Sequence, residues 1–235
     1  MISKLQTFLE VYREHGLDSA LISSAHYVDA DRLHLLLLNR FWGFDPDSNY
    51  KIKIINADVD RISHTQWFPF KVRGDRAIVG ELGGNWDMMT KEFAQRPLYR
   101  SLEMRFTEGE PWEKTPMYQE TEVAIKNGGQ KWSSCESMSD LQKRCDKIDN
   151  LYRDMRENGY KNQLNNCWNR SVQGVPLPDE IRIAVGRDGR FIRCASGRHR
   201  LIIAKLLDID TITATIQIEH KGWDGDFDII KSISL

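Results

Sequence analysis

DEIRIAVGRDGRFIRCASGRHRLIIAKLLDIDTITATI, residues 179–216, changes its hydrophobic period twice. Glu180 to Val185 alternates and reads as a strand. Arg187-Asp188-Gly189-Arg190 follows, and Asp-Gly between two alternating runs is a strong short-range signal for a β-hairpin. Phe191 to Cys194 is the returning strand. The period then shifts to that of a helix, with Leu201, Ala204, Leu206 and Leu207 on the apolar side and Ser196 as the expected N-cap. Asp208-Ile209-Asp210 turns the chain into TITATIQI, a β-branched strand. Hairpin, helix and strand in this order predict an α+β fold with a small mixed sheet and helices packed against it.

The first turn of that helix raises a question of chemistry. Gly197-Arg198-His199-Arg200 places two arginines and a histidine where the helix dipole is positive, at a cost of about 0.3–1 kcal/mol per basic residue. The unpaired N–H groups of a first turn favour an anion. Gly197 lets a ligand approach the backbone, and an arginine can hold phosphate oxygens in bidentate fashion. Ser196, Gly197, Arg198, His199 and Arg200 are therefore the candidate phosphate-binding residues. Arg182, Arg187, Arg190, Arg193 and Lys205 surround them in sequence, with Asp188 as the one acid among these positions, so a local basic site is expected. The bland alternative is a solvated basic hairpin with no ligand.

The rest of the chain supplies context. Its 235 residues allow a sizeable core, and 40% hydrophobic with 29% charged residues is ordinary for a globular protein. A net charge of -1 makes no global electrostatic case for nucleic acid or an acidic membrane. Cys135, Cys145, Cys167 and Cys194 form no CxxC pair and no metal-like spacing, which fits reduced thiols better than a disulfide framework. The start of the chain lacks the apolar region of a signal peptide, and no run reaches the ~20 apolar residues of a membrane span. A cytoplasmic protein is expected.

Residues 3–16 read as a helix stopping at Gly16, and a second helix through Leu38 has Asp29 or Asp31 as its cap. Residues 1–48 are thus expected to form a helical N-terminal lobe. Tyr50 to Val59 is a strand, and Val72 to Leu82 an extended piece broken at Gly74-Asp75. Residues 88–150 are expected to be largely helical. They include a helix over 97–105 and a long one opened by Ser139 with Gln142 as a capping box. Leu141, Cys145, Ile148, Tyr152 and Met155 form its apolar face.

LYRDMRENGYKNQ (151–163) followed by residues 179–216 resembles the ParB N-terminal domain and sulfiredoxin superfamily. The shared pattern is a helix ending in a turn, an Asp-Gly hairpin, a G-x-x-R helix and a final strand. Gly197 and Arg200 stand at the G-x-x-R positions. The resemblance covers roughly the last third of the chain and, more loosely, the strand at 51–59. It assigns residues 49–235 to one such domain, with the helical segment as an insertion.

The resemblance implies a nucleoside di- or triphosphate at that helix N-terminus, with Mg2+. Members use the site differently: sulfiredoxin acts on a cysteine sulfinate with ATP, ParB binds CTP and clamps DNA, and free-serine kinases phosphorylate a small hydroxyl. Arg198 stands where sulfiredoxin has its cysteine, which disfavours that reaction, and 235 residues end soon after the last strand, which disfavours ParB-type DNA binding. A phosphotransferase or nucleotide hydrolase acting on a small acceptor is the first expectation. Its acid, base or magnesium ligand would come from the glycine-rich GELGGNWD segment, as Asp87 or Glu81, with His199 as a further catalytic candidate. Arg105, Trp112 and Glu113, near Glu110 and Thr115, are the expected acceptor pocket. The alternatives are a non-catalytic nucleotide-gated or DNA-associated binding protein, and a ParB-like nuclease.

Overall fold

A computed structural model describes residues 2–27, 31–66, 70–72 and 76–234. In chain order the helices are α1 (Ile2–Tyr27), α2 (Asp31–Trp42), α3 (Pro97–Phe106), α4 (Pro116–Lys126), α5 (Met138–Asn158) and α6 (Arg198–Leu206). The strands are β1 (Lys51–Asp58), β2 (Ile62–Gln66), β3 (Lys71–Val72), β4 (Arg76–Ala77), β5 (Gly80–Leu82), β6 (Thr90–Glu92), β7 (Cys167–Arg170), β8 (Pro176–Pro178), β9 (Ile181–Val185), β10 (Phe191–Ala195), β11 (Thr211–His220) and β12 (Ile229–Ser234). The fold is mixed α+β.

One eight-stranded sheet organises the chain, in the order β12-β1-β11-β9-β10-β2-β6, with β5 added along the end of β11. β9 and β10 form the antiparallel hairpin, closed by Gly186 N–H to Arg190 O at 3.0 Å and by Gly189, at φ 77°, to Gly186 O at 2.9 Å. α6 then carries the chain across β9, and β11 pairs parallel to β9 on its far side. All five residues of β9 are buried, as expected of a strand covered on both faces.

The two faces are covered by different helices. Ile181, Ile183 and Val185 of β9, with Ile212, Ala214 and Ile216 of β11, pack against α3, α4, α5 and α6. Ala184, Ile192 and Cys194 point the other way, into a cluster with Val11, Ile22, Leu38, Trp42, Phe44 and Trp86. This is the period-two alternation of a pleated strand. A register shift in β11 between Ile216 and Ile218 moves Ile218 to the α1–α2 side. The N-terminal helices therefore share one buried cluster with the sheet.

Several expected boundaries move. The first helical stretch does stop at Gly16, whose φ of 89° and ψ of 175° are non-helical, and a second stretch carries α1 on to Tyr27. α2 starts at Asp31 and extends past Leu38 to Trp42, and Asp29 lies outside the described residues. Gly74-Asp75 lies outside them too, between β3 and β4. Ser137, not Ser139, caps α5: its Oγ accepts from Asp140 N–H at 3.1 Å. Ser137 lies one residue before the helix, where the backbone is still extended and its hydroxyl can turn back, while Ser139 is already helical.

After α5 the chain forms a short hairpin, β7 with β8. All four cysteines are free; three are buried and Cys167 is exposed. Among the described residues no helix is long and apolar enough to cross a membrane.

Candidate functional site

α6 begins where β10 leaves the sheet. Gly197, at φ 67°, is its N-cap, and a β-carbon there would lie 2.4 Å from Ile181 Cγ1 and 3.0 Å from Ile181 Cα. Only glycine allows both the left-handed backbone and the close approach to β9. Ser196 does not cap the helix. Its hydroxyl donates to Asp179 Oδ1 at 2.6 Å, so α6 starts without a side-chain cap.

The first turn splits its side chains between two environments. Arg200 turns toward the start of β9, where it donates to the Asp179 carbonyl and lies 3.6 Å from Glu180 Oε2. Glu180 is fully buried, and it also accepts from the Tyr160 hydroxyl at 2.5 Å and from the Gln163 backbone N–H. Arg200 and Ser196 are thus engaged by protein groups that tie α6 to the sheet.

Arg198 and His199 turn the other way, under the loop 131–135. Arg198 donates to Ser133 Oγ at 3.2 Å, and the Trp132 indole N–H donates to His199 Nε2 at 3.2 Å. An indole is only a donor, so His199 accepts at Nε2 and carries its proton on Nδ1. Burial, then the charges of Arg198, Arg144 and Arg193, push the His199 imidazole down to about 3, which keeps it neutral at pH 7. The loop itself is strained: Trp132, Ser133 and Ser134 have φ of 45°, 63° and 64° in succession. Each such non-glycine conformation costs on the order of 1–3 kcal/mol, and such strain clusters at ligand clamps. The loop is held shut by the Lys131–Cys135 bridge and by Cys135 Sγ to Trp132 O at 3.1 Å.

Three further guanidiniums act on this place. Arg193 leaves β10 toward the α3–α6 side, donates to Thr65 Oγ1 at 3.1 Å and lies 5.9 Å from the Phe93 ring centroid. Arg96 is the N-cap residue of α3, and Arg144 lies on α5. Burial pushes Arg193 down to about 10, with the charges of Arg198 and Arg96 adding to the effect. Arg198 is lowered by burial, then by Arg144 and Arg96.

Among the described residues none of Arg96, Arg144, Arg193 and Arg198 has a carboxylate within salt-bridge distance. The Arg193 Nε–H is buried and has no hydrogen-bond partner among them. Arg144, Arg193 and Arg198 are partly sheltered from water and Arg96 is exposed, and the mutual repulsion of these cations is one that an anion would relieve.

The other expected site residues fall elsewhere. Asp87 is buried at the far end of β9, where Oδ2 accepts from Arg187 N at 3.0 Å and from Arg187 Nε at 2.8 Å, and Oδ1 accepts from Arg187 Nη2 at 2.7 Å. Burial alone would raise the Asp87 carboxyl, but the bonds from Arg187 hold it below the usual carboxylate range. Asp87 packs beside Gly186 and Gly197 beside Ile181, so the two groups are separated by the length of β9, about 16 Å at ~3.3 Å per residue.

Glu81 is exposed and lines a polar cavity of about 320 Å³ with Tyr50, Asp45 and Lys221. Arg105 and Trp112 both donate to Asp149, Arg105 Nη2 at 2.8 Å and Trp112 Nε1 at 3.0 Å. Glu113 is exposed and Thr115 is buried, bonded to Trp112 O. The Trp112 ring lies 5.6 Å from Trp132, which lies 6.4 Å from His199, so Trp112 supports the loop from behind.

A divalent cation does not fit among the four guanidiniums, and among the described residues no cluster of three or more His, Cys, Asp or Glu side chains could hold one. Pairing disperses the basic run seen in the sequence: Arg187 goes to Asp87, Arg190 to Asp188, Arg200 to Asp179, and Lys205 to the Val59 carbonyl.

Arg96, Arg144 and the Trp132–Ser133 loop were not anticipated. One signal was present for Arg96, a basic residue directly before Pro97 at a helix start, where it opposes the dipole as Arg198 does. Comparison with known proteins finds no matching family model, no matching curated protein and no matching solved structure.

Proposed function

We propose that the protein binds a nucleoside phosphate, with its phosphate between α6, the 131–135 loop, Arg96, Arg144 and Arg193. The observation that carries this reading is the convergence of four guanidiniums without a carboxylate. The sequence likeness of Gly197–Arg200 to the G-x-x-R turn of the ParB and sulfiredoxin superfamily supports the same helix start through Gly197, while Arg200 itself is engaged by Asp179 and Glu180. The partial burial of Arg144, Arg193 and Arg198 suits a small ligand better than a duplex backbone.

Binding is better supported than turnover. Asp87 and Glu81 lie away from the cluster, and His199, at about 3, is a weak base at neutral pH. A phosphotransferase would need its acid or base delivered by the acceptor or by a movement of the chain.

The test is a thermal-shift series with ATP, ADP, CTP and GTP on the native chain and on Arg198→Ala. A ligand at a hundred times its Kd adds about 2.7 kcal/mol, or roughly 5–10 °C for a chain of this size. The expected result is a shift for at least one nucleotide that is lost in the variant. A well-folded native chain that none of them shifts rules the reading out.

A further inference from the structure

We propose that the cavity lined by Asp45, Tyr50, Glu81 and Lys221 binds a small organic molecule through a primary ammonium group. The site lies away from α6 and does not rest on the phosphate reading. It is built where the link from α2 to β1 meets β5 and the end of β11. Backbone bonds hold these walls together. Gly83 N–H donates to Trp42 O at 2.7 Å and Lys221 N–H to Leu82 O at 2.9 Å, and the parallel register sets Glu81 beside Glu219. Lys221 Nζ ties the link down by donating to Gly43 O at 2.7 Å. The cavity of about 320 Å³ is therefore preformed, at the lower end of the ~300–1,000 Å³ of small-molecule sites.

Its lining selects a ligand by hydrogen-bond polarity. Tyr50 is only 8% exposed, and its hydroxyl donates to Glu219 Oε1 at 2.6 Å, while Lys53 Nζ donates to Glu219 Oε2 at 2.7 Å. Burial, then the Glu219 charge, push the Tyr50 hydroxyl well above its usual range, so it keeps its proton. With that proton given to Glu219, the Tyr50 oxygen can only accept, and among the described residues nothing donates to it. Asp45 and Glu81 are acceptors as well. Asp45 Oδ1 takes the Asp47 N–H at 3.0 Å. Among the described residues neither Asp45 nor Glu81 has a cation within salt-bridge distance.

Two carboxylates and a phenol oxygen, set against one ammonium that already serves Gly43, call for a positively charged donor. An anion would meet negative charge in excess. A divalent metal ion finds too few ligands, since among the described residues no group of three or more His, Cys, Asp or Glu could hold one. An apolar ligand would cover these polar groups without pairing them. A primary ammonium brings three N–H donors and one positive charge in a compact group, which matches the acceptors present.

Isothermal titration of the intact chain with three molecules of similar length tests the proposal: cadaverine with an ammonium at each end, pentanediol with a hydroxyl at each end, and glutarate with a carboxylate at each end. Cadaverine should bind with a Kd of about 1 mM or tighter, and the other two at least about tenfold more weakly. Glu81→Gln and Asp45→Asn should each weaken cadaverine about threefold or more, while Glu157→Gln, the same charge change on the surface of α5, should not. Circular dichroism checks the fold of each variant. Pentanediol or glutarate binding as tightly as cadaverine overturns the proposal, and so does no cadaverine binding by about 10 mM. Equal losses in all three variants would show a diffuse charge effect and overturn the site, as would unchanged affinity in both cavity variants. A loss in one cavity variant alone keeps the site and removes the other carboxylate from it. The three-ligand series on the native chain stands even if a variant does not fold.

Discussion

His199 is neutral because burial strips its water and Arg198, Arg144 and Arg193 repel a second proton, while the indole of Trp132 fixes its tautomer by donating to Nε2. Its ordinary value is about 6.5 and its folded value about 3. Between those two limits the unfolded chain binds a proton that the folded chain does not. The His199 contribution to stability is therefore complete above about pH 6.5 and is lost as the pH falls toward 3. Urea midpoints measured from pH 7 to pH 4 should fall, and His199→Gln should flatten that slope. A bound anion favours the imidazolium, so a saturating nucleoside phosphate should shrink the same window.

At the scale of elements, the start of each helix decides what its first turn can do. α5 is capped by the Ser137 hydroxyl, whereas α6 starts at an uncapped glycine pressed against β9. Ser137→Ala should cost about 1 kcal/mol, and Ser139→Ala a few tenths. The readout is the shift in urea midpoint. An equal cost at both positions would return the cap to Ser139. The hairpin, α6 and β11 were legible in the sequence because each is marked by a local period or a turn residue. The short strands β2, β6, β7 and β8 were not legible, because strands of three to five residues carry too few periods and are settled by the partner they meet. Ser196 was misplaced as a cap because its alternative acceptor, Asp179, is brought to it by folding and not by sequence proximity.

The whole molecule is a sheet whose two faces are closed by helices from different parts of the chain. Trp42, at the end of α2, is nearly fully buried in the α1–α2 cluster and donates its indole N–H to Asp18 at 3.0 Å. Trp42→Ala should cost about 3–5 kcal/mol, read as a loss of urea midpoint. A cost below about 1 kcal/mol would mean that α1 and α2 do not close that face.

The sequence by itself determined the α+β class, the hairpin with its Asp-Gly turn, the helix after Gly197 and the presence of basic side chains in its first turn. These follow from local periods and from residues whose backbone preferences act over a few positions. Only the tertiary structure decided which of those basic residues come close together. Strand alternation and helix rotation send Arg182 and Arg193 to opposite faces of the sheet, and Arg200 to Asp179 and Glu180. Arg198 and His199 go to Arg96, Arg144 and the Trp132 loop, groups far apart in sequence that meet where helices from both halves of the chain pack on the sheet.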